Sequence, residues 1–314
     1  MEKIVLRPAQ HNPKGIRPSS VEGQSRRIGI ITEETADLPQ EIIEKHQIAI
    51  VPAKLVRGKE ILKREIGWLI EEKYGGKLTE EAKKDIEKLK KGEPVDYLIG
   101  FVEFLGSKID LSQRPFIPRP ETEFWLEKAI KEIQNSKFRV PAKRVQNLKI
   151  LDLFSGSGCI GLAILKNVKK AKVDFAEIQK KFLKQIEINL KLNRVNKKRY
   201  RIIRSDIFDE TTGKYDYIFA NPPYISNKRL REVQKSVLNF EPKNSFFGGK
   251  DGLLYIKKFL KEARSHLKKT GRIYLEFDPF QKEEIIKILN ELNYSSYQIH
   301  RDQYGKWRYL VVGL

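Results

Sequence analysis

The sequence predicts an α/β protein with a mostly parallel sheet, and three observations support this prediction. From residue 148 onward, short apolar runs alternate with amphipathic helical segments, as in strand–helix–strand units. A glycine-rich turn stands between the first of these strands and the helix after it, which is typical of ligand-binding sheets of this class. Two further strand patterns, at 296–301 and 307–313, are joined by a short polar turn and predict a closing antiparallel hairpin.

The other elements of this region follow from the same periodicities. Strands are predicted at 148–153, 171–176, 201–204, 215–220 and 271–277. Helices are predicted at 158–168, 179–192, 252–268 and 280–292. We therefore expect one large domain over residues 116–314, in which helices connect successive parallel strands.

The residues before this domain divide into three predicted segments. Residues 1–52 are an appended segment, and we expect it to be partly disordered because its first half is rich in Pro, Ser and Gly and lacks periodicity. Residues 53–95 predict a small helical subdomain for substrate recognition, in which Thr79 is the N-cap of the second helix. Residues 96–115 alternate enough to predict a β-hairpin linker.

Part of the appended segment has a pattern of its own. Residues 28–52 predict a short strand, a helix and a second strand. This piece resembles the start of DegV-type fatty-acid-binding proteins, which implies a lipid ligand. Because a segment of 25 residues is too short to enclose an acyl chain, we favour a local packing role over a lipid site.

Composition and charge exclude several classes of protein. The net charge of +21 favours a polyanionic partner such as RNA or a ribosome, although lysines spread over every segment also serve to solvate a surface. The best candidates for a basic patch are the runs at 137–144 and 197–199. A single cysteine, Cys159, permits no intrachain disulfide and fits a cytoplasmic protein. We expect neither a metal site nor a membrane segment, since the histidines are scattered and no apolar run is long enough.

The glycine-rich turn at 151–161, LDLFSGSGCIG, predicts a cofactor-binding loop. Gly156 and Gly158 allow a tight turn and a close approach of the backbone to a ligand. The spacing to Gly161 satisfies the dinucleotide fingerprint, but S-adenosylmethionine needs the same kind of loop, so the spacing leaves both ligands open. Glu177, at the end of the next strand, is placed to bind the ribose diol of either ligand.

Two other strand ends carry candidate binding residues. Asp206 and Ile207 follow the third strand; the carboxylate can accept from an adenine amino group while the isoleucine packs on the ring, and a plain turn is the alternative role for Asp206. The fourth strand runs into NPPY at 221–224, where two prolines make a rigid corner with free carbonyls. If the first and fourth strands are neighbours, this corner and the glycine turn face one crevice.

A second stiff segment, FIPRPETE at 116–123, precedes the domain's first helix. Pro118 and Pro120 restrict its backbone, and Thr122 is a candidate N-cap for a helix that starts at Phe124. The segment is either a plain connection into that helix or the edge of a lid over a charged small molecule.

Together these motifs resemble a known family. YLIGFVEFLG, FIPRPETE, DLFSGSG, NPPYI, FEPKNSFFGGKDGL, GRIYLEF and DQYGKWR occur in this order. Over residues 60–314 they look like the class I S-adenosylmethionine-dependent methyltransferases and, more narrowly, the PrmC/HemK family of protein-(glutamine-N5) methyltransferases. The resemblance implies a Rossmann-like, seven-stranded, mostly parallel sheet with helices on both faces and a small N-terminal helical subdomain. It also implies methylation of the glutamine in the Gly-Gly-Gln motif of peptide chain release factors.

The resemblance implies roles for the residues at matching positions. The implied cofactor-binding set is Asp152, Phe154, Ser155, Gly156, Ser157, Gly158, Glu177, Asp206, Ile207 and Asn221. Arg119, Glu121 and Thr122 are implied to close the cofactor pocket. Asn221, Pro222, Pro223 and Tyr224 are implied to be catalytic and to hold the target glutamine. Phe154 departs from the family pattern, which often has glycine at this position.

The residues leave other functions open. The NPPY corner would equally serve a nucleic-acid methyltransferase that acts on an exocyclic amine, such as adenine N6 or guanine N2, of a flipped base. A ribosomal protein instead of a release factor would also supply a glutamine. A nicotinamide-dependent oxidoreductase would use the glycine turn but leave NPPY unexplained, and a lipid-binding protein would depend on residues 28–52 alone.

Overall fold

A computed structural model of the chain describes residues 53–135 and 148–313. They belong to two compact units, and the boundary between the units lies between Ile99 and Gly100. The appended segment at 1–52 and the basic run at 137–144 lie outside the described residues. What the sequence predicts for these two segments therefore stays a prediction.

The described part of the first unit is helical, as expected. Its helices are α1 (Ala53–Tyr74), α2 (Glu80–Lys90) and α3 (Val95–Ile99). Thr79 caps α2 as predicted, because its Oγ1 accepts a hydrogen bond from the Ala82 N–H at 3.1 Å. The apolar alternation from Tyr97 predicts a strand where the structure has α3; all five residues of α3 are buried, and periodicity does not distinguish a short buried helix from a strand.

One buried carboxylate ties α1 to α2. Asp85 accepts hydrogen bonds from Lys73 Nζ at 2.7 Å, Tyr74 Oη at 2.8 Å and Lys88 Nζ at 2.7 Å. Burial opposes the ionisation of Asp85, but these hydrogen bonds prevail and lower its pKa to about 2. Charge-assisted hydrogen bonds therefore add to the apolar packing that holds the two helices together.

The described part of the second unit consists of a hairpin and a seven-stranded sheet with connecting helices. The hairpin strands are β1 (Phe101–Phe104) and β2 (Ser107–Asp110). The sheet strands are β3 (Leu148–Leu153), β4 (Ala171–Glu177), β5 (Tyr200–Arg204), β6 (Tyr215–Ala220), β7 (Leu267–Glu276), β8 (Ser296–Arg301) and β9 (Trp307–Gly313). The helices are α4 (Pro120–Asn135), α5 (Cys159–Asn167), α6 (Lys180–Leu192), α7 (Lys235–Phe240), α8 (Leu254–Ala263) and α9 (Lys282–Glu291).

The strand order is β5-β4-β3-β6-β7-β9-β8. The first five of these are parallel to one another, and β9 is antiparallel to both β7 and β8. The predicted α/β class with a seven-stranded, mostly parallel sheet is therefore confirmed. The bounds differ at β7, which begins at Leu267 instead of residue 271, and the six-residue α7 was not predicted.

The sheet places the two sequence-predicted loops side by side. β3 pairs with β4 on one side and β6 on the other, and Leu153 of β3 is the register partner of Ala220 of β6. The next residues along the two strands are Phe154 and Asn221. The condition set by the sequence argument, that the first and fourth strands be neighbours, is therefore met at the switch point of the sheet.

Helix α4 is anchored to the sheet by one fully buried indole. The ring of Trp125 stacks on three aromatic rings of the sheet, with centroids 6.3 Å from Phe219, 6.4 Å from Tyr274 and 5.9 Å from Tyr309. The helix begins at Pro120, a favoured first residue, so Thr122 lies inside it and the predicted N-cap role of Thr122 is wrong. Instead, its hydroxyl donates to Glu276 Oε2 at 2.6 Å.

A ladder of carboxamides on α6 holds the backbone of β2 and of the residues after it. Gln185, Asn189 and Asn193 recur every four residues and therefore share one face of the helix. Asn193 Oδ1 accepts from the Lys108 N–H at 3.1 Å, Asn189 Oδ1 from the Asp110 N–H at 2.8 Å and Gln185 Oε1 from the Gln113 N–H at 2.8 Å. Side chains thus supply the partners that a further strand would give to this edge.

Asn189 also reaches the glycine turn. It is buried, and its Nδ2 donates to the Ser157 carbonyl at 2.8 Å and to the Asp110 carbonyl at 3.4 Å. One side chain therefore joins the hairpin, α6 and the turn that follows β3.

The FIPRP segment is fixed by a residue more than a hundred positions downstream. Glu241 Oε1 accepts from Arg119 Nη2 at 2.5 Å, and its Oε2 accepts from the Ile117 N–H at 3.1 Å. Both charged side chains are buried, and the Arg119 guanidinium also lies over the Phe116 ring, 4.4 Å from its centroid. The segments FIPRPETE and FEPKN are therefore held together by a buried ion pair.

Replacing Asn189 with alanine should destabilise the protein and loosen the glycine turn. The change leaves the buried Ser157 carbonyl and Asp110 N–H unpaired, which costs about 1–3 kcal/mol per group. Urea unfolding measures the loss. Asn193→Ala is the matched control, because Asn193 holds the same hairpin at a more exposed position. An equal loss of unfolding free energy in both variants would show that Asn189 contributes no more than Asn193.

Replacing Glu241 with alanine should lower the free energy of unfolding by about 3–5 kcal/mol, since it breaks a buried ion pair by removing one of its two charges. The free energy of unfolding from denaturant titration checks this value. Glu127→Gln breaks an ion pair with Lys131 that is largely exposed, so it should cost at most about 1 kcal/mol. Similar losses in the two variants would show that the Arg119–Glu241 pair is no more important than a surface pair.

Candidate active site

A cleft of about 380 Å³ opens at the C-terminal ends of β3, β4, β5 and β6. Most of the predicted site residues line it. They are Arg119, Thr122, Phe154, Ser155, Gly156, Ser157, Glu177, Asp206, Ile207, Asn221 and Pro223. The predicted residues that do not line this cleft are Glu121, Asp152, Gly158, Pro222 and Tyr224. The fold thus brings five sequence-separated segments around one space.

The glycine turn follows a left-handed backbone path. Phe154, Gly156 and Gly158 have φ values of 61°, 53° and 77°, a region that costs a non-glycine residue about 1–2 kcal/mol. Phe154 therefore occupies a backbone conformation that suits glycine. Its departure from the family pattern places a bulky side chain where the backbone favours glycine. Its ring packs edge-on against Tyr255, with centroids 6.0 Å apart, at the wall of the cleft.

The third glycine of the fingerprint has a packing role. A Cβ on Gly161 would lie 2.3 Å from the Phe175 ring of β4, so only glycine lets α5 approach the sheet this closely. The Gly161 N–H donates to Asp152 Oδ2 at 2.9 Å. Asp152 is fully buried beneath the turn, and burial raises the pKa of its carboxyl well above the usual value. In this position Asp152 supports the turn from below.

Glu177 both supports the turn and faces the cleft. Its Oε2 accepts from the Gly156 N–H at 2.9 Å and its Oε1 from the Gln179 N–H at 2.8 Å. Burial raises the pKa of the Glu177 carboxyl, although these hydrogen bonds oppose the shift. A carboxylate has about four acceptor sites. The N–H groups of Gly156, Gln179 and Ile178 use three of them, so the side chain keeps capacity for a ligand hydroxyl group.

The loop after β5 is strained at one residue. Ile207 has a φ of 52°, an outlier for a β-branched side chain. Ser205 Oγ holds this conformation by donating to the Ile207 carbonyl at 3.0 Å and accepting from the Glu210 N–H at 3.1 Å. The strained turn puts the buried Ile207 side chain and the exposed Asp206 on the cleft wall, where sequence analysis expects an adenine.

The double-proline corner borders a second, smaller cavity of about 20 Å³ beside the cleft. Its lining includes Phe116, Asn221, Pro222, Tyr224 and Phe246. Asn221 lines both cavities, so it stands where they meet. No hydrogen bond to the Pro222 carbonyl is found among residues 53–135 and 148–313, and this oxygen keeps its full acceptor capacity.

The hydroxyl of Tyr224 is occupied. It donates to Glu276 Oε1 at 2.9 Å, and burial together with the Glu276 charge raises the pKa of the phenol well above 10. The hydroxyl is therefore held in place as a neutral donor. Tyr224 also lines the smaller cavity, so it borders the space where the family resemblance implies that the target glutamine is held.

The glycines of GGKDGL, which in the sequence are only part of the family resemblance, shape the NPPY corner. A Cβ on Gly248 would lie 2.6 Å from the Pro223 carbonyl oxygen, and one on Gly252 would lie 2.2 Å from that of Tyr224. Gln281 Nε2 also donates to the Tyr224 carbonyl, at 2.9 Å. The density of glycines in this segment was the available signal, whereas nothing in the pattern around Gln281 indicated its role.

Other candidate chemistry is absent from the described part of the chain. Burial raises the pKa of the Cys159 thiol to about 12, so the thiol stays protonated near neutral pH and is a poor candidate for a nucleophile. Residues 53–135 and 148–313 contain no cluster of metal-ligating side chains, and none of their helices is long and apolar enough to cross a membrane. In the basic run at 197–199, Lys197 and Lys198 are exposed, while Arg199 donates to the Ala171 and Val168 carbonyls.

Comparison with known proteins agrees with this geometry. Residues 136–240 match the family model of the methyltransferase small domain. Among solved structures, the hMettl16 catalytic domain in complex with the MAT2A 3′UTR hairpin 6 is similar with a TM-score of 0.51 and 12% identity, and the match covers 67% of this chain and 76% of that one. This likeness concerns the fold alone.

Similar sequences give a narrower answer. The chain is 32% identical to the release factor glutamine methyltransferase of Flavobacterium psychrophilum over 227 residues, which are 71% of this chain and 76% of the relative. It is 34% identical to the enzyme of that name from Lactococcus lactis over 236 residues, with 75% and 81% covered. On this evidence the chain belongs to the release factor glutamine methyltransferase family.

Proposed function

We propose that this protein transfers the methyl group of S-adenosylmethionine to the side-chain amide nitrogen of the glutamine in the Gly-Gly-Gln motif of peptide chain release factors. The observation that carries the proposal is the junction of the two cavities at Asn221. A large cleft fit for a nucleoside opens on one side of this residue, and the small cavity bordered by the NPPY corner lies on the other.

The residues of the cleft suit S-adenosylmethionine. The left-handed turn at 154–158 brings its backbone close to a ligand, Glu177 keeps acceptor capacity for a ribose hydroxyl, and Asp206 with Ile207 would hold the adenine. Arg119 and Thr122 border the same space, whereas Glu121 and Asp152 would act by supporting it. When bound, this cofactor supplies a methyl group on a sulfonium sulfur, a good leaving group.

The NPPY corner meets the needs of an amide nucleophile. The nitrogen of a carboxamide is weakly nucleophilic because its lone pair is delocalised into the carbonyl, and it carries two N–H donors. Asn221 Oδ1 would accept one of them and the Pro222 carbonyl the other, while Tyr224 stacks on the amide plane. Two fixed acceptors orient the nitrogen and stabilise the positive charge that develops on it as the new bond forms.

Radiolabelled S-adenosylmethionine with a purified release factor tests this function directly. Label should enter the release factor and map to the glutamine of its Gly-Gly-Gln motif. A release factor with alanine in place of that glutamine is the matched control and should stay unlabelled. Label in ribosomal protein or in added nucleic acid, but not in the release factor, would favour the alternative substrates and contradict the proposal.

Replacing Asn221 with alanine should lower kcat by a factor on the order of 10² to 10³, the cost of removing one preorganised partner of the developing charge. The dissociation constant of S-adenosylmethionine should change little, because the glycine turn and Glu177 hold the cofactor. Single-turnover rates and calorimetric titration measure the two quantities. Asn227→Ala, an exposed asparagine in the following loop, controls for nonspecific effects; methylation by Asn221→Ala at nearly the wild-type rate would remove Asn221 from catalysis.

A further inference from the structure

A buried carboxylate lies next to Asn221 in the sheet. Ala220 of β6 is the register partner of Leu275 of β7, and Asn221 and Glu276 are the next residues on these strands. Glu276 is buried, and the proposed reaction assigns it no part. It accepts hydrogen bonds from three donors: Thr122 Oγ1 at 2.6 Å and Trp125 Nε1 at 2.7 Å reach Oε2, and Tyr224 Oη at 2.9 Å reaches Oε1.

The direction of each hydrogen bond in this cluster follows from a count of protons. The indole N–H of Trp125 is a donor only, and a carboxylate is an acceptor only. Thr122 therefore gives its single hydroxyl proton to Glu276 and is left with lone pairs. Among residues 53–135 and 148–313, the other hydrogen-bond partner of the Thr122 oxygen is Asn221, whose Nδ2 lies 3.3 Å away. Asn221 must therefore turn its NH₂ group toward the Thr122 oxygen.

We infer that Glu276, acting through Thr122, is a positioning residue that fixes which end of the Asn221 amide faces the reacting nitrogen. With Nδ2 held by Thr122, Oδ1 is the end left for a substrate N–H donor. A rotation of the amide by half a turn would set an NH₂ group against the NH₂ group of the substrate. The inference deepens the proposed function and rests on it for its kinetic consequence, while the orientation itself is a property of the protein alone.

The Glu276 carboxylate also orients a second side chain of the NPPY corner, that of Tyr224. Tyr224 is held through its hydroxyl by Oε1 of Glu276. Trp125, whose ring is stacked between sheet aromatics, holds Oε2 as an acceptor. Glu276 therefore contributes an acceptor, Oε2, to both Thr122 and Trp125. In Glu276→Gln the amide oxygen must stay at that position, since both Trp125 and Thr122 donate there, and the Asn221 orientation should survive.

The test of the orientation needs no substrate. Selective ¹⁵N labelling of asparagine gives a side-chain NH₂ signal for Asn221, identified by its loss in Asn221→Ala. In the wild type and in Thr122→Ser, this NH₂ should exchange slowly with water and show a nuclear Overhauser effect to the side chain of residue 122. In Thr122→Val, exchange should be about tenfold faster, as for the loss of one hydrogen bond. An Asn221 NH₂ that exchanges at the same rate in wild type and Thr122→Val would overturn the inference.

The kinetic test uses the same variants on the release factor. Thr122→Val keeps the shape of the side chain but removes its hydroxyl, and kcat should fall by about tenfold with an unchanged dissociation constant for S-adenosylmethionine. Thr122→Ser should retain most of the wild-type kcat, because it keeps the hydroxyl. If Thr122→Val weakens cofactor binding and leaves kcat unchanged, Thr122 merely borders the cofactor and the inference is wrong.

A double-mutant cycle separates positioning from general destabilisation. If Thr122 acts through Asn221, adding Thr122→Val to Asn221→Ala should produce no further loss of kcat, because the group to be positioned is gone. The same loss in both backgrounds would contradict the inference. Failure of the wild type to label any release factor would instead contradict the proposed function, and the labelled-asparagine measurement would still decide the orientation of Asn221.

Discussion

The pairing of β3 with β6 is the constraint on which the rest of the site depends. Because Leu153 and Ala220 are register partners, the glycine turn and the NPPY corner leave the sheet at the same level. A shift of one residue would turn the side chains of a strand to the opposite face of the sheet. The site therefore depends on the sheet register more than on any single contact within the loops.

Two residues in the loops that face the cleft adopt unfavourable backbone conformations. Phe154 and Ile207 both have left-handed backbone angles, and both follow strands that end at the cleft. Such strain persists only where surrounding contacts enforce it. Here the contacts are the hydrogen bonds of Ser205 and the packing of Phe154 on Tyr255. The stability of the sheet thus maintains loops that would relax to other conformations on their own.

Local patterns predict the fold and much of the cleft, because hydrophobic periodicity, turn residues and strand-end motifs are all short-range features of the sequence. The parallel sheet, the turn at Gly156 and Gly158 and the corner at 221–224 follow from such signals. Long-range partners did not follow. Glu241 and Glu276 appear in sequence as an ordinary acid before a proline and an acid at a strand end, and their partners Arg119 and Thr122 lie 122 and 154 positions away. Thr122 was misassigned as a cap for this reason.

The two acceptors proposed for the substrate amide are fixed in different ways. The Pro222 carbonyl belongs to a backbone that two prolines stiffen and that Gly248 and Gly252 allow to be packed tightly from behind. Asn221 Oδ1 sits on a side chain with rotatable bonds, and a planar amide has two nearly isosteric orientations. Backbone rigidity cannot choose between them; only a neighbour with a defined proton direction can. A hydroxyl that donates to a buried carboxylate has that property, and the inferred orientation of Asn221 would give the polar cluster under the corner a function.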